Sequence, residues 1–252
     1  MTVITQIGGI VYLISILLIK QTANRKRLKR FGIFAGLYLL TTFLVVPYVA
    51  PIFGREKIKE SEFLEAHSFF YKLANRNYVK PELNSIIQDI SIELQRNNYG
   101  LKLIYLDANF PFLEKFPLLP HLSHNDGKKI DVSLIYKYSN GNLSNEKPSI
   151  SGYGVYEKPN ANEYNQTVIC KERGNWQYDF PKYLTLGTIN KEIEFSESAT
   201  RELAKLILEQ EDIGKLFIEP HLKKRLNLTS GKVRFHGCQA VRHDDHIHFQ
   251  LK

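Results

Sequence analysis

The sequence predicts an α+β protein: an N-terminal two-span transmembrane helical hairpin, then a mainly antiparallel sheet domain with flanking helices. Three observations carry this expectation. Two uncharged apolar runs, residues 2–19 and 31–53, bracket a basic loop at 20–30. Beyond residue 55, helix-period and strand-period patterns follow one another without regular alternation, which argues against a doubly wound parallel sheet. Finally, 43% apolar and 12% aromatic residues over 252 positions are enough to bury a core.

The second apolar run, Phe31 to Phe53, has 23 residues without a charge, enough to cross a hydrocarbon layer of about 30 Å. The first is shorter and is broken by Gln6, Gly8 and Gly9. A cleaved signal peptide would need a basic start and a small-residue cleavage site. Nothing before Lys20 is basic, and Lys20 to Asn24 resembles no such site. The expected division is therefore a membrane anchor at 1–54 and a domain at 55–252. Lys20, Arg25, Lys26, Arg27, Lys29 and Arg30 stand between the runs with no acidic residue, whereas the bases after residue 54 are mixed with acids. The positive-inside bias then puts the loop in the cytoplasm and the domain outside it. Those six charges leave only +2 of the net +8 for the rest of the chain. A nucleic-acid partner, which needs its positive charge on the folded domain, is not expected.

Within the domain, Phe63, Leu64, His67, Phe70, Tyr71 and Ala74 recur at three- and four-residue steps and predict a helix over 57–76. Pro81 opens a second helix, with Leu83, Ile86, Ile87, Ile90 and Leu94 as its apolar stripe and Gly100 beyond its end. Residues 101–106 and 130–136 read as buried strands, separated by a proline-broken loop. Residues 139–164 form a long polar excursion. Ser196 caps a helix running to about Gln210, and 216–219, 232–235 and 246–251 are short strands. Trp176, Tyr178 and Phe180 alternate as on a strand. Cys170 and Cys238, the only cysteines, suit either one disulfide outside the cytoplasm or two buried thiols.

The chemistry lies in two histidine clusters, His121-Leu-Ser-His124-Asn-Asp-Gly-Lys-Lys-Ile-Asp131 and Arg242-His243-Asp-Asp245-His246-Ile-His248. A lone histidine is usually an ordinary polar residue, but three histidines and two aspartates within 243–248 form a denser group. On a strand His246 and His248 share one face while Ile247 and Phe249 share the other. Asn125-Asp126-Gly127 is a turn signal that lets the chain reverse after His124 and return Asp131 beside it. Two histidines and an aspartate make an N,N,O set that zinc accepts, leaving a fourth position open for water, as in catalytic sites.

At these residues the sequence resembles the penicillin-insensitive murein endopeptidases. More broadly it resembles the zinc metallopeptidase fold shared by lysostaphin, the D-alanyl-D-alanine metallopeptidases and the hedgehog signalling domain. Their signature is a His, six residues, an Asp, and a distant His-x-His. Carried over position by position, the resemblance implies His124, Asp131 and His248 as zinc ligands and His246 as the catalytic histidine. His243 and His121 fall where the endopeptidases also place histidines. Asp245 is a rival base or a carboxylate orienting a histidine. The likeness is dense at 121–131 and 243–250 and thin between them. Lys129 and the membrane hairpin depart from the family pattern. The implied function is a membrane-anchored zinc peptidase acting outside the cytoplasm on peptidoglycan peptides, at a D-Ala-containing cross-link or terminal bond. The alternative from another class is a non-hydrolytic zinc-binding receptor or cell-wall-binding module, for which the hedgehog domain is the precedent. His221, His236 and Arg201 carry weaker signals, and Arg201 reads as a solvated charge.

Overall fold

The computed structural model describes residues 1–18 and 25–252; Ile19, Lys20 and the rest of the expected loop up to Asn24 lie outside the described residues. The strands, in chain order, are β1 (Glu56–Lys57), β2 (Leu64–Ala66), β3 (Tyr78–Val79), β4 (Leu103–Tyr105), β5 (Lys129–Ser133) and β6 (Tyr136–Lys137). They continue with β7 (Leu143–Ser144), β8 (Glu194–Phe195), β9 (Ile213–Phe217), β10 (Val233–Arg234) and β11 (His246–Leu251). Six of them form the main sheet in the order β10-β9-β11-β5-β4-β2. Its three central pairings are antiparallel, and only the outer pairs β10–β9 and β2–β4 are parallel. The protein is thus a mixed α+β fold.

Alternation along β5 and β11 decides what the sheet presents on each face. Ile130, Val132, Ile247 and Phe249 are fully buried in the core. The helices Pro81–Asn97 and Glu197–Glu209 cover that side with the stripes Leu83, Ile87, Ile90, Leu94 and Leu203, Ala204, Ile207. Both helices agree with the sequence pattern, and Pro81 occupies the first turn, where its missing N–H costs nothing.

One helical stretch, Lys26–Phe53, is long and apolar enough to cross a membrane; among the described residues it alone meets that test. Pro47 and Pro51 remove two backbone donors from it. A π-helical turn at Thr41–Val45 and a final 3₁₀ turn at Ala50–Phe53 are the local adjustments beside them. The first apolar run forms the helix Gly8–Leu17, only 10 residues, or about 15 Å. Both helices pack on the domain through a cluster containing Ile7, Val11, Tyr38, Val46, Ala50 and Tyr78.

Two expectations are corrected. Residues 57–76 are not one helix: the stretch holds β2 and a short helix, Phe69–Leu73, capped by the Ser68 side chain. Leu64 is buried because its strand pairs with Leu103, not because of helical spacing. Trp176–Tyr183 is 3₁₀-helical with Pro181 inside it, so Trp176, Tyr178 and Phe180 do not alternate on a strand. The cysteines form one disulfide, Cys170–Cys238. It ties the helix Gln166–Glu172 to the loop leading into β11. Neither that helix nor Pro220–Arg225 is evident in the sequence pattern.

Candidate metal centre

His248 and Asp131 are direct cross-strand partners on β11 and β5, and His246 lies opposite Ser133. The alternation that buries Ile247 and Phe249 therefore turns both histidines to the face that carries Asp131. His124 arrives from the loop before β5. Gly127 makes that loop's reversal, with φ +79, and a Cβ there would stand 3.1 Å from the Arg55 side chain and 3.2 Å from that of Lys80. Asp126 Oδ1 accepts the Lys128 N–H at 2.9 Å, the local bond of an Asx turn. Lys129, the departure from the family pattern, pairs with Asp126 instead of entering the site. Arg55, buried, donates to the carbonyls of Phe110 and Asn125 and pins the loop from outside.

Three donor atoms converge. His124 Nε2 is 3.0 Å from His248 Nδ1 and 3.1 Å from Asp131 Oδ1, and the latter two are 2.9 Å apart. His124 Nδ1 bonds the Ala108 carbonyl at 2.7 Å; donation there leaves Nε2 with its lone pair. Ligands around a tetrahedral zinc stand about 3.3 Å apart, so these atoms need to spread by only a few tenths of an ångström. All three residues are buried. Burial holds the His248 imidazole down to about 3, and the histidines around Asp131 outweigh its burial and hold it well below the usual carboxylate range. The set suits a divalent ion: two imidazole nitrogens, a carboxylate, and a carbonyl fixing one tautomer. A second group, His121, Asp131 and His246, shares the carboxylate's other oxygen.

The flanking residues hold this arrangement. Asp245 Oδ1 bonds His246 Nδ1 at 2.5 Å, while Asp245 Oδ2 accepts the Gly154 N–H at 2.6 Å. Asp245 is therefore a carboxylate that orients His246. Burial pulls the His246 imidazole down, but Asp131 and Asp245 outweigh it and carry it up to about 9. His121 Nδ1 lies 3.1 Å from both Asp107 Oδ2 and Asp131 Oδ2. His243 donates its backbone N–H to Glu219, and its ring centroid is 4.8 Å from that of His246. The Nε2 atoms of His121, His246 and His248 are buried without a hydrogen-bond partner among the described residues.

Three supporting residues are missed by sequence reasoning. Tyr153 donates its hydroxyl to Asp131 Oδ2 at 2.8 Å and receives the Asp107 N–H at 3.1 Å. Arg76 forms a bidentate pair with Asp107 at 2.5 and 2.6 Å, so Asp107 can in turn orient His121. The only local hint is that Tyr153 stands between Gly152 and Gly154, both at positive φ. Of the weaker candidates, His236 joins the cluster, its ring 5.1 Å from that of His243. His221 instead bonds the Glu157 carbonyl, away from the ligand atoms, and Arg201 pairs with Glu197.

Two cavities open beside the cluster. One of about 340 Å³ is lined by His124, His236, His243 and His248, with Trp176 and Phe180 on its wall. A second of about 320 Å³ lies across Pro120 and His121, which line both. Fold and site together define a mixed α+β domain with a buried His/Asp group able to hold a metal ion. Compared with known proteins, the chain matches no family model and no curated sequence.

Proposed function

We propose that the chain is a membrane-anchored zinc peptidase of the murein-endopeptidase kind, acting outside the cytoplasm on peptidoglycan peptides. In this reading Lys26–Phe53 spans the membrane and the first apolar helix completes a two-span anchor. The observation that carries the proposal is the convergence of His124 Nε2, Asp131 Oδ1 and His248 Nδ1, with His246 beside them. A bound zinc ion supplies a Lewis acid and lowers the pKa of water at its open position. His246, its Nδ1 engaged by Asp245, offers Nε2 to the oxygen that gains charge as an amide is attacked. His243 and His121, with ring centroids 4.8 and 5.6 Å from that of His246, return a proton to the leaving amine in this reading. The 340 Å³ cavity, walled by Trp176 and Phe180, suits an extended peptide.

The test is digestion of purified peptidoglycan by the full chain in detergent, with metal content measured on the same sample. Wild type, His246→Ala and chelator-treated protein are compared. Loss of cross-linked muropeptide dimers, or of a terminal D-alanine, is expected for wild type alone. Stoichiometric zinc with unchanged muropeptides would sink the peptidase reading in favour of a zinc-binding receptor.

A further inference from the structure

The domain packs too far along Lys26–Phe53 to stand clear of a membrane that this helix crosses. The helix's basic end, Lys26 to Arg30, marks one boundary. At 1.5 Å per residue, a hydrocarbon layer of about 30 Å ends roughly 20 residues later, near residue 50. Inside that depth Tyr38 donates to the Leu73 carbonyl at 2.6 Å, Asn75 donates to Thr42 Oγ1 at 3.4 Å, and Phe43 stacks on Phe69 with centroids 5.8 Å apart. On that span the short helix Phe69–Leu73 lies at hydrocarbon depth, its Lys72 paired with Glu60, and Phe69 and Phe70 are 59% and 47% exposed.

Phe70 is also a wall of the 320 Å³ cavity, whose inner end is formed by His121 and Tyr153. The lining also includes Ile150, Leu184 and Leu186, of which Ile150 and Leu186 are exposed. Arg76 and Asp107, the charged groups in the lining, neutralise one another. Apolar side chains thus lead from the face of the spanning helix to the candidate metal centre. At the inner end the buried Nε2 of His121 has no hydrogen-bond partner among the described residues.

We infer that this cavity receives a hydrocarbon chain from the bilayer, so that the substrate is a lipid-linked peptide drawn from the membrane surface. The inference rests on the peptidase reading and on Lys26–Phe53 as a span, and it names the substrate class of the same site. Continuity with the span favours a lipid chain over an apolar peptide segment, because the outer wall of the cavity is the element stacked on that span.

The experiment uses the full chain in phosphatidylglycerol–phosphatidylethanolamine vesicles containing a phospholipid with a diazirine in its acyl chain. Labelled peptides are mapped by mass spectrometry after irradiation, and metal content is measured in parallel. Peptides bearing Ile150 and Leu186 should be labelled several-fold above the one bearing Tyr99, which is 97% exposed on the domain. In Leu186→Asp, with metal content unchanged, labelling of the peptide bearing Ile150 should fall to the Tyr99 level while the spanning helix and Phe69–Leu73 stay labelled. Label confined to residues 1–53 and 69–73 would overturn the inference, and an unlabelled span would overturn it together with the anchor. Loss of metal with cavity labelling intact would instead refute the peptidase reading.

Discussion

Replacing Tyr153 with Phe removes one oxygen atom and tests whether the surroundings of Asp131 set its affinity for metal. The ring keeps its edge contacts with His121 and His246, at centroid distances of 4.7 and 5.1 Å. What is lost is the 2.8 Å bond to Asp131 Oδ2 and the 3.1 Å bond from the Asp107 N–H. Each partner is left buried and short of one bond, at about 1–3 kcal/mol apiece, so the apo protein should lose roughly 2–6 kcal/mol of stability. Removing an outer partner of a metal ligand typically weakens binding by about 10–100-fold, equivalent to about 1.4–2.7 kcal/mol. Competition for zinc against a chromophoric chelator, with urea unfolding of the metal-free protein, measures the two effects separately. A drop in stability with unchanged zinc affinity would refute the reasoning, leaving Tyr153 a packing residue with no hold on the ligand.

Asp131→Asn should abolish zinc binding and the thermal stabilisation it brings, which at a free concentration of 100 times Kd is about 2.7 kcal/mol for wild type; a melting curve with and without zinc reads this directly. Lys147 is 3% exposed, and burial pulls its ammonium from 10.5 down to about 7. The unfolded chain then binds more protons between those values, so wild-type stability should rise as pH climbs from about 7 towards 10.5. Lys147→Met should remove that rise and be more stable than wild type at pH 7, as read from urea midpoints. Trp176, the only tryptophan, is 73% exposed on the wall of the larger cavity. Its emission should shift to the blue when His246→Ala binds a peptide without turnover; calorimetric binding with no shift would remove Trp176 from the groove.

The candidate ligands were legible because each pair is specified locally. His124 and Asp131 are joined by a turn whose chemistry lies in Asp126 and Gly127, and the period of a strand sends His246 and His248 to one side. Arg76, Asp107 and Tyr153 were not legible. They come from three separate segments and meet only through tertiary packing, which no spacing rule encodes. Residues 57–76 misled for the opposite reason. Phe63, Leu64, His67, Phe70 and Tyr71 satisfy helical spacing, yet pairing of Leu64 with Leu103 outweighs it. Trp176, Tyr178 and Phe180 carry a period of two in the sequence, whereas the chain there coils in 3₁₀ turns around Pro181.

The bridge between Cys170 and Cys238 also bears on the order in which the molecule assembles. Asp131 and His248 are 117 residues apart, and the cysteines, 68 apart, lie inside that interval. An unfolded chain already bridged has only 49 residues left to close before β5 and β11 can pair. Loop-closure entropy makes that encounter cheaper by about 0.8 kcal/mol, roughly fourfold in equilibrium terms. Reducing agent present during refolding should therefore slow the meeting of the two histidine-bearing segments, whereas reduction after folding acts on a sheet whose central strands have already met.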